Sequence, residues 1–122
     1  MKLENLLQKP ETLRYADKLA EEIIENREMF EQLFELIFVD NKAVAWRAAW
    51  ICDKLSRKKP EWFTEKHIKK ILEILPFEKH KGTLRGLLSI FLNLYKGSQL
   101  DTNILNLFTI DRQTLSFVDI YF

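Results

Sequence analysis

Between Asn41 and Leu55 the chain is apolar on almost every side of the helix that its spacing predicts. At about 100° per residue, Val44, Ala48, Ile51 and Leu55 form one stripe, and Ala45, Ala49 and Cys52 form a second beside it. Trp46 and Trp50 lie on roughly the opposite side with Asp53 and Arg57. A surface helix needs one apolar aspect; several aspects imply several neighbours. The alanines and the cysteine let other backbones come close. This segment therefore reads as the central helix of an all-helical stack.

The flanking pattern supplies its neighbours. Residues 2–8 predict a short opening helix with Leu3, Leu6 and Leu7 inward. Pro10 suits the first turn of a helix running to Asn26, with Leu13, Ala16, Leu19, Ala20, Ile23 and Ile24 on one face. A third helix follows to about Val39, with Phe30, Leu33, Phe34, Leu36 and Ile37 as its apolar set. Asp40-Asn41 gives a turn and an N-cap for the central helix, which ends in the cationic run Ser56-Arg57-Lys58-Lys59. Pro60 opens a short helical turn whose Trp62 and Phe63 anchor it on the core. A helix from His67 to Leu75 is stopped by Pro76. Another runs from Lys81 to Tyr95 and closes at Gly97. Asp101 caps a last one through Phe108.

Sliding the chain on itself by about 38 residues exposes a repeat. Phe30, Leu33, Phe34, Leu36 and Ile37 fall on Ile68, Ile71, Leu72, Ile74 and Leu75; Glu35 falls on Glu73, and Trp46-Arg47 on Leu84-Arg85. Leu13-Arg14 is a fainter copy ahead of the first unit, and Ile104, Leu105, Leu107 and Phe108 begin a further one. Units of about 12–58 and 60–97, with a partial 101–122, make one domain from 1 to 122. Each unit is a pair of antiparallel helices that cannot bury its apolar faces alone, so the units stack.

The pattern resembles HEAT repeats, the helical-hairpin family of α-solenoids, over roughly residues 12–109, and is similar to short bacterial HEAT-like proteins. That family's second helix opens with an Asp in the turn, then an apolar residue followed by Arg, then small residues. Asp40, Trp46-Arg47 and Ala48-Ala49 match in the first unit. Leu84-Arg85 and Gly86 match in the second, where Lys79, His80 and Lys81 stand in the turn without an Asp. The resemblance implies an all-α, right-handed α-α superhelix of the HEAT/armadillo kind. It also implies a protein-binding scaffold whose second helices line a concave face.

Composition agrees. In 122 residues, 3 Gly and 3 Pro leave few turns, so helices are long and connections short. One cysteine forms no internal disulfide. The charged start is unlike a signal peptide and no run of ~20 apolar residues spans a bilayer, so a cytoplasmic protein with no membrane partner is expected. The net charge of +1 hides an asymmetry: residues 1–40 hold 5 Lys/Arg against 10 Asp/Glu, and residues 41–97 hold 13 against 5. A basic middle between acidic ends can steer an anionic partner. It can equally be a set of solvated faces.

Catalytic and metal chemistry find little support. Cys52 sits among Ala45, Ala49 and Ile51 and reads as a small buried hydrophobe. His67 and His80 lack the further ligands that a metal needs. Gly82, Gly86 and Gly97 are scattered and make no phosphate-binding loop. Asp53 alone, with neither partner nor pocket, is weak support for acid–base catalysis. No enzyme, catalytic residue, metal or cofactor is expected.

Two constellations remain. One is the basic series Lys54, Arg57, Lys58, Lys59, Lys66, Lys69, Lys70, Lys79 and Lys81 with Arg47 and Arg85. Arg47, Lys54 and Lys58 share a face of the central helix, and Arg85 repeats the position of Arg47. It reads either as solvated charge that holds the stack or as an anion- or acidic-peptide groove. The other is the strip Trp46, Trp50, Asp53 and Arg57. It reads either as filling between units or as an interface hot spot. The expected function is a non-enzymatic interaction module that binds a protein or peptide through Trp46, Arg47, Trp50, Lys54, Arg57, Lys58, Lys81 and Arg85. The alternative is nucleic-acid binding through the basic 42–85 region. The apolar residues of 111–122 read as a cap, as part of a longer solenoid, or as a contact with a second copy.

Overall fold

The computed structural model describes residues 3–96, and among these there are six α-helices and no strand. They are α1 (Leu3–Leu7), α2 (Ala16–Glu25), α3 (Glu28–Leu36), α4 (Lys42–Lys58), α5 (Glu65–Ile74) and α6 (Lys81–Lys96). Short 3-10 stretches at Pro10–Tyr15, Pro60–Trp62 and Leu75–Phe77 join them. The Gly97 closure expected for the helix from Lys81, the expected helix through Phe108 and the stretch 111–122 lie outside the described residues.

Local chemistry explains most boundaries. Asn41 caps α4 by accepting the N–H groups of Ala43 at 3.1 Å and Val44 at 3.3 Å. Thr64 and His67 close a reciprocal capping box at the start of α5. At the start of α6 the capping runs one way: His80 Nδ1 accepts the Thr83 N–H at 3.2 Å. Pro60 has no N–H to continue α4 and starts the next turn instead.

Two boundaries differ from the sequence reading. The helix expected from Pro10 begins as a 3-10 stretch and becomes an α-helix only at Ala16. The Thr12 hydroxyl donates to the carbonyl of Leu6, and this bond ties the segment to α1 and tightens it. The third helix stops at Leu36 rather than Val39. The Ile37 and Phe38 N–H groups reach the carbonyls of Phe34 and Glu35, three residues back, which winds the last turn tighter.

α4 is the hub. It packs on α1, α2, α3, α6 and the Pro60 turn, most extensively on α6. Val44, Ala45, Ala48, Ala49, Ile51, Cys52, Leu55 and Ser56 are all buried in it. Around α3 and α5 the core is aromatic: Phe30 meets Phe63 at 5.0 Å and Trp62 at 5.5 Å, and Phe34 meets His67 at 4.7 Å. Removing a side chain such as Phe30 from water contributes roughly 2–3 kcal/mol.

Contacts between successive units fall in a narrow range of sequence separation, from 36 to 40 residues. Asp53–Ser89 and Glu31–His67 are 36 residues apart, Ser56–Asn93 is 37 and Asp53–Asn93 is 40. α6 therefore runs alongside α4 in the same direction. α5 does the same beside α3, with His67 against Phe30 and Phe34 and Lys70 over the Phe38 ring. α2 joins the α4–α6 layer through Lys54 and Asp17 at 2.8 Å. The result is one layer of α2, α4 and α6 and a second of α3 and α5, the architecture that the repeat predicts.

Candidate interaction face

The buried stripes of α4 leave one aspect of it outward, and that aspect carries Trp46, Trp50 and Arg57. Trp50 is 46% exposed, which is high for an indole in a mid-stack helix. Trp46 is half-buried beside α6: a Cβ placed on Gly82 would stand 3.2 Å from its own Cβ. The two indoles meet edge to face at 6.3 Å and 86°. Trp46 thus fills space between units, whereas Trp50 does not.

The cations around this strip have unequal surroundings. Arg47 is half-buried, with its guanidinium 5.8 Å from the centre of the Trp46 ring. Its Nη1 donates to the carbonyl of Leu7 at 2.8 Å, so it ties the end of α1 to the stack. Lys54 stands 5.8 Å from the centre of the Trp50 ring and pairs with Asp17. The hydrogen bond and charge of Lys54, with Lys58 adding to the field, hold the exposed Asp17 carboxyl below the usual carboxylate range. Arg57 pairs with Asp53 at 3.1 Å one turn before it. Lys58, Lys81 and Arg85 are exposed, and none has an ion-pair partner among the described residues.

By helical spacing from Gly82 and Gly86, which face α4, Lys81 and Arg85 fall on the outward side of α6. Trp46, Trp50 and Arg57 thus lie on the outward side of α4, with Lys54 and Lys58 toward α2, while Lys81 and Arg85 lie on the outward side of α6, where they line a small hollow with Leu84 and Leu88. Lys42, which is not of the basic series, pairs with Glu78. Lys66, Lys69 and Lys70 belong to the other layer, where with Glu31, Glu35, Glu65 and Glu73 they line an open groove of about 620 Å³ between α3 and α5.

Sequence reasoning missed the polar seam between α4 and α6. Asp53 Oδ1 accepts from the Ser89 hydroxyl at 2.6 Å and the Asn93 amide at 2.8 Å. That amide also reaches Ser56 Oγ at 2.9 Å. Asp53 therefore works between the helices, its oxygens engaged by Ser89, Asn93 and Arg57. The signal was present: Gly82, Gly86, Ser89 and Asn93 recur at helical spacing as a small and polar stripe on an otherwise apolar helix.

Cys52 is fully buried, and burial first, then Asp53 and Glu31, push its thiol well above the ordinary cysteine range. His67 is buried among Phe30, Phe34 and Phe63. Its Nδ1 accepts the Thr64 N–H at 3.0 Å, which leaves the proton of the neutral ring on Nε2, 2.8 Å from Glu31. Among the described residues no group of three His, Cys, Asp or Glu side chains could hold a metal ion, and no helix is long and apolar enough to cross a membrane.

A family model described as a HEAT repeat domain matches residues 3–115. No curated protein and no solved structure matches the chain.

Proposed function

The chain belongs to the HEAT repeat domain family, and on that premise we propose that it is a non-enzymatic interaction module. It binds a protein or peptide on the outward face of α4 and α6. The observation that carries this reading is Trp50. A large apolar ring left half in water, flanked by an aromatic neighbour and by long cationic side chains, is the composition of an interface hot spot. Trp50 offers area at little entropic cost because the Trp46 edge and the Lys54 stem already restrict it.

The nucleic-acid reading has less behind it. A phosphate-tracking surface needs its cations free and on one side. Here Lys42, Lys54, Arg57 and Lys69 are in ion pairs, and the lysines of α5 line the other layer.

Selection from a random peptide display library, run in parallel on the wild type and Trp50→Ala, tests the proposal. Peptides enriched on the wild type should lose affinity about thirtyfold on the variant, the scale of a hot-spot tryptophan. Enrichment of the same peptides to the same affinity on both proteins would refute this face as the site.

A further inference from the structure

The α2–α4–α6 layer changes sign from one side to the other. α2 carries Asp17, Glu21, Glu22 and Glu25 against a single Lys18. α4 carries five Lys and Arg against Asp53 alone. α6, from Lys81 to Lys96, has no acidic residue. Ion pairs cancel charge at the boundary and in the middle and leave the outer charges in place. Asp17 neutralises Lys54 at the α2–α4 boundary, and Asp53 neutralises Arg57 in the middle. Lys58, Lys81 and Arg85 remain exposed with no ion pair among the described residues.

We infer that the occupant of this face is an acidic peptide segment that lies across α4 and α6 and stops short of α2. This deepens the proposed function and rests on it. An apolar side chain of the segment covers Trp50, and its carboxylates stand over Arg85 and Lys81. The carboxylates of α2 repel it on the other side, which fixes where it lies. The seam beneath is prearranged: Gly82 and Gly86 bring α6 against α4, and Asp53 locks Ser89 and Asn93, so Arg85 keeps a set distance from Trp50. Charge complementarity selects a short acidic segment over a nucleic acid. The cationic stretch is only two helices wide, roughly 20 Å at ordinary helix spacing, and an acidic helix borders it. A longer phosphate backbone would run into that border.

The test is titration of the full chain with three short labelled peptides: Asp alternating with Leu, Asn alternating with Leu, and Lys alternating with Leu. Oligothymidylate is the fourth probe. Binding is read by fluorescence anisotropy, and a change in Trp emission that is present in the wild type and lost in Trp50→Ala reports contact with Trp50. The Asp peptide should bind best, weaken with added salt, and lose about tenfold in Arg85→Glu and in Lys81→Glu. Circular dichroism checks that both variants keep wild-type helicity. Equal binding of the Asn peptide, still dependent on Trp50, would overturn the acidic occupant and leave the interaction module standing. Tighter binding of oligothymidylate than of the Asp peptide would overturn it in favour of a phosphate-bearing partner. Failure of every peptide, together with failure of the display selection, would remove both readings.

Discussion

Gly86→Ala is the sharpest test of how α4 and α6 meet. At an exposed helical position this change stabilises, because alanine is better than glycine in a helix by roughly 0.8–1.0 kcal/mol. Here the new Cβ would stand 2.7 Å from the Cβ of Ala49, with the Ala49 carbonyl carbon at 3.4 Å and its Cα at 3.6 Å. Two carbons are comfortable only at about 3.5–4.0 Å. None of these atoms is the end of a flexible chain, so the helices themselves must move apart by about 1 Å. That movement stretches the Asp53–Ser89 bond of 2.6 Å and the Asn93–Ser56 bond of 2.9 Å. Overpacking of this kind costs about 1–3 kcal/mol. Set against the propensity gain, the net is a loss of up to about 2 kcal/mol, so the sign reverses. Urea unfolding followed by circular dichroism measures it. Ala49→Gly in the Gly86→Ala background removes the clashing methyl, so the double variant should be more stable than the two single losses added together. A Gly86→Ala protein more stable than the wild type by the full propensity gain would refute the close approach and, with it, the packing that sets the spacing of Arg85 from Trp50.

Asp53→Ala strips Ser89 and Asn93 of a shared charged acceptor and should lower unfolding stability by about 2 kcal/mol, whereas Trp50→Ala should cost much less; similar losses for the two in chemical denaturation would contradict the assignment of Asp53 to the seam and Trp50 to the surface. Asp17 should titrate below the usual carboxylate range in a carbon-detected NMR pH series, and its midpoint should rise in Lys54→Met. Because the folded carboxyl is the more acidic, its contribution to stability is present above the unfolded pKa and is lost as pH falls through the folded one; an unmoved midpoint in Lys54→Met would deny the pair. Cys52 should resist an aromatic disulfide reagent in the native protein and react at once in denaturant, since only the thiolate attacks and burial suppresses it; rapid native labelling would place the thiol outside the core.

The stack was legible in the chain because periodicity is local information. The apolar stripes of residues 41–55 required several neighbours, and the structure surrounds α4 with four helices. The repeat of Phe30 to Ile37 in Ile68 to Leu75 required a second layer, and His67 against Phe30 and Phe34 supplies the contact. Asn41 as a cap, Cys52 as a buried hydrophobe, and Trp62 and Phe63 as anchors needed nothing beyond side-chain chemistry and spacing.

What the chain could not show is which side of a residue faces a neighbour and which faces water. Trp46 and Trp50 are one helical turn apart and alike in sequence, yet the first leans on Gly82 and the second is open. Arg47 and Arg85 match in the repeat, yet Arg47 reaches a carbonyl 40 residues away and Arg85 stays exposed. Asp53 looked like a lone carboxylate until α6 brought Ser89 and Asn93 to it. Periodicity states that a side must be covered; only the packed neighbours, each with its own charges and volumes, decide what covers it.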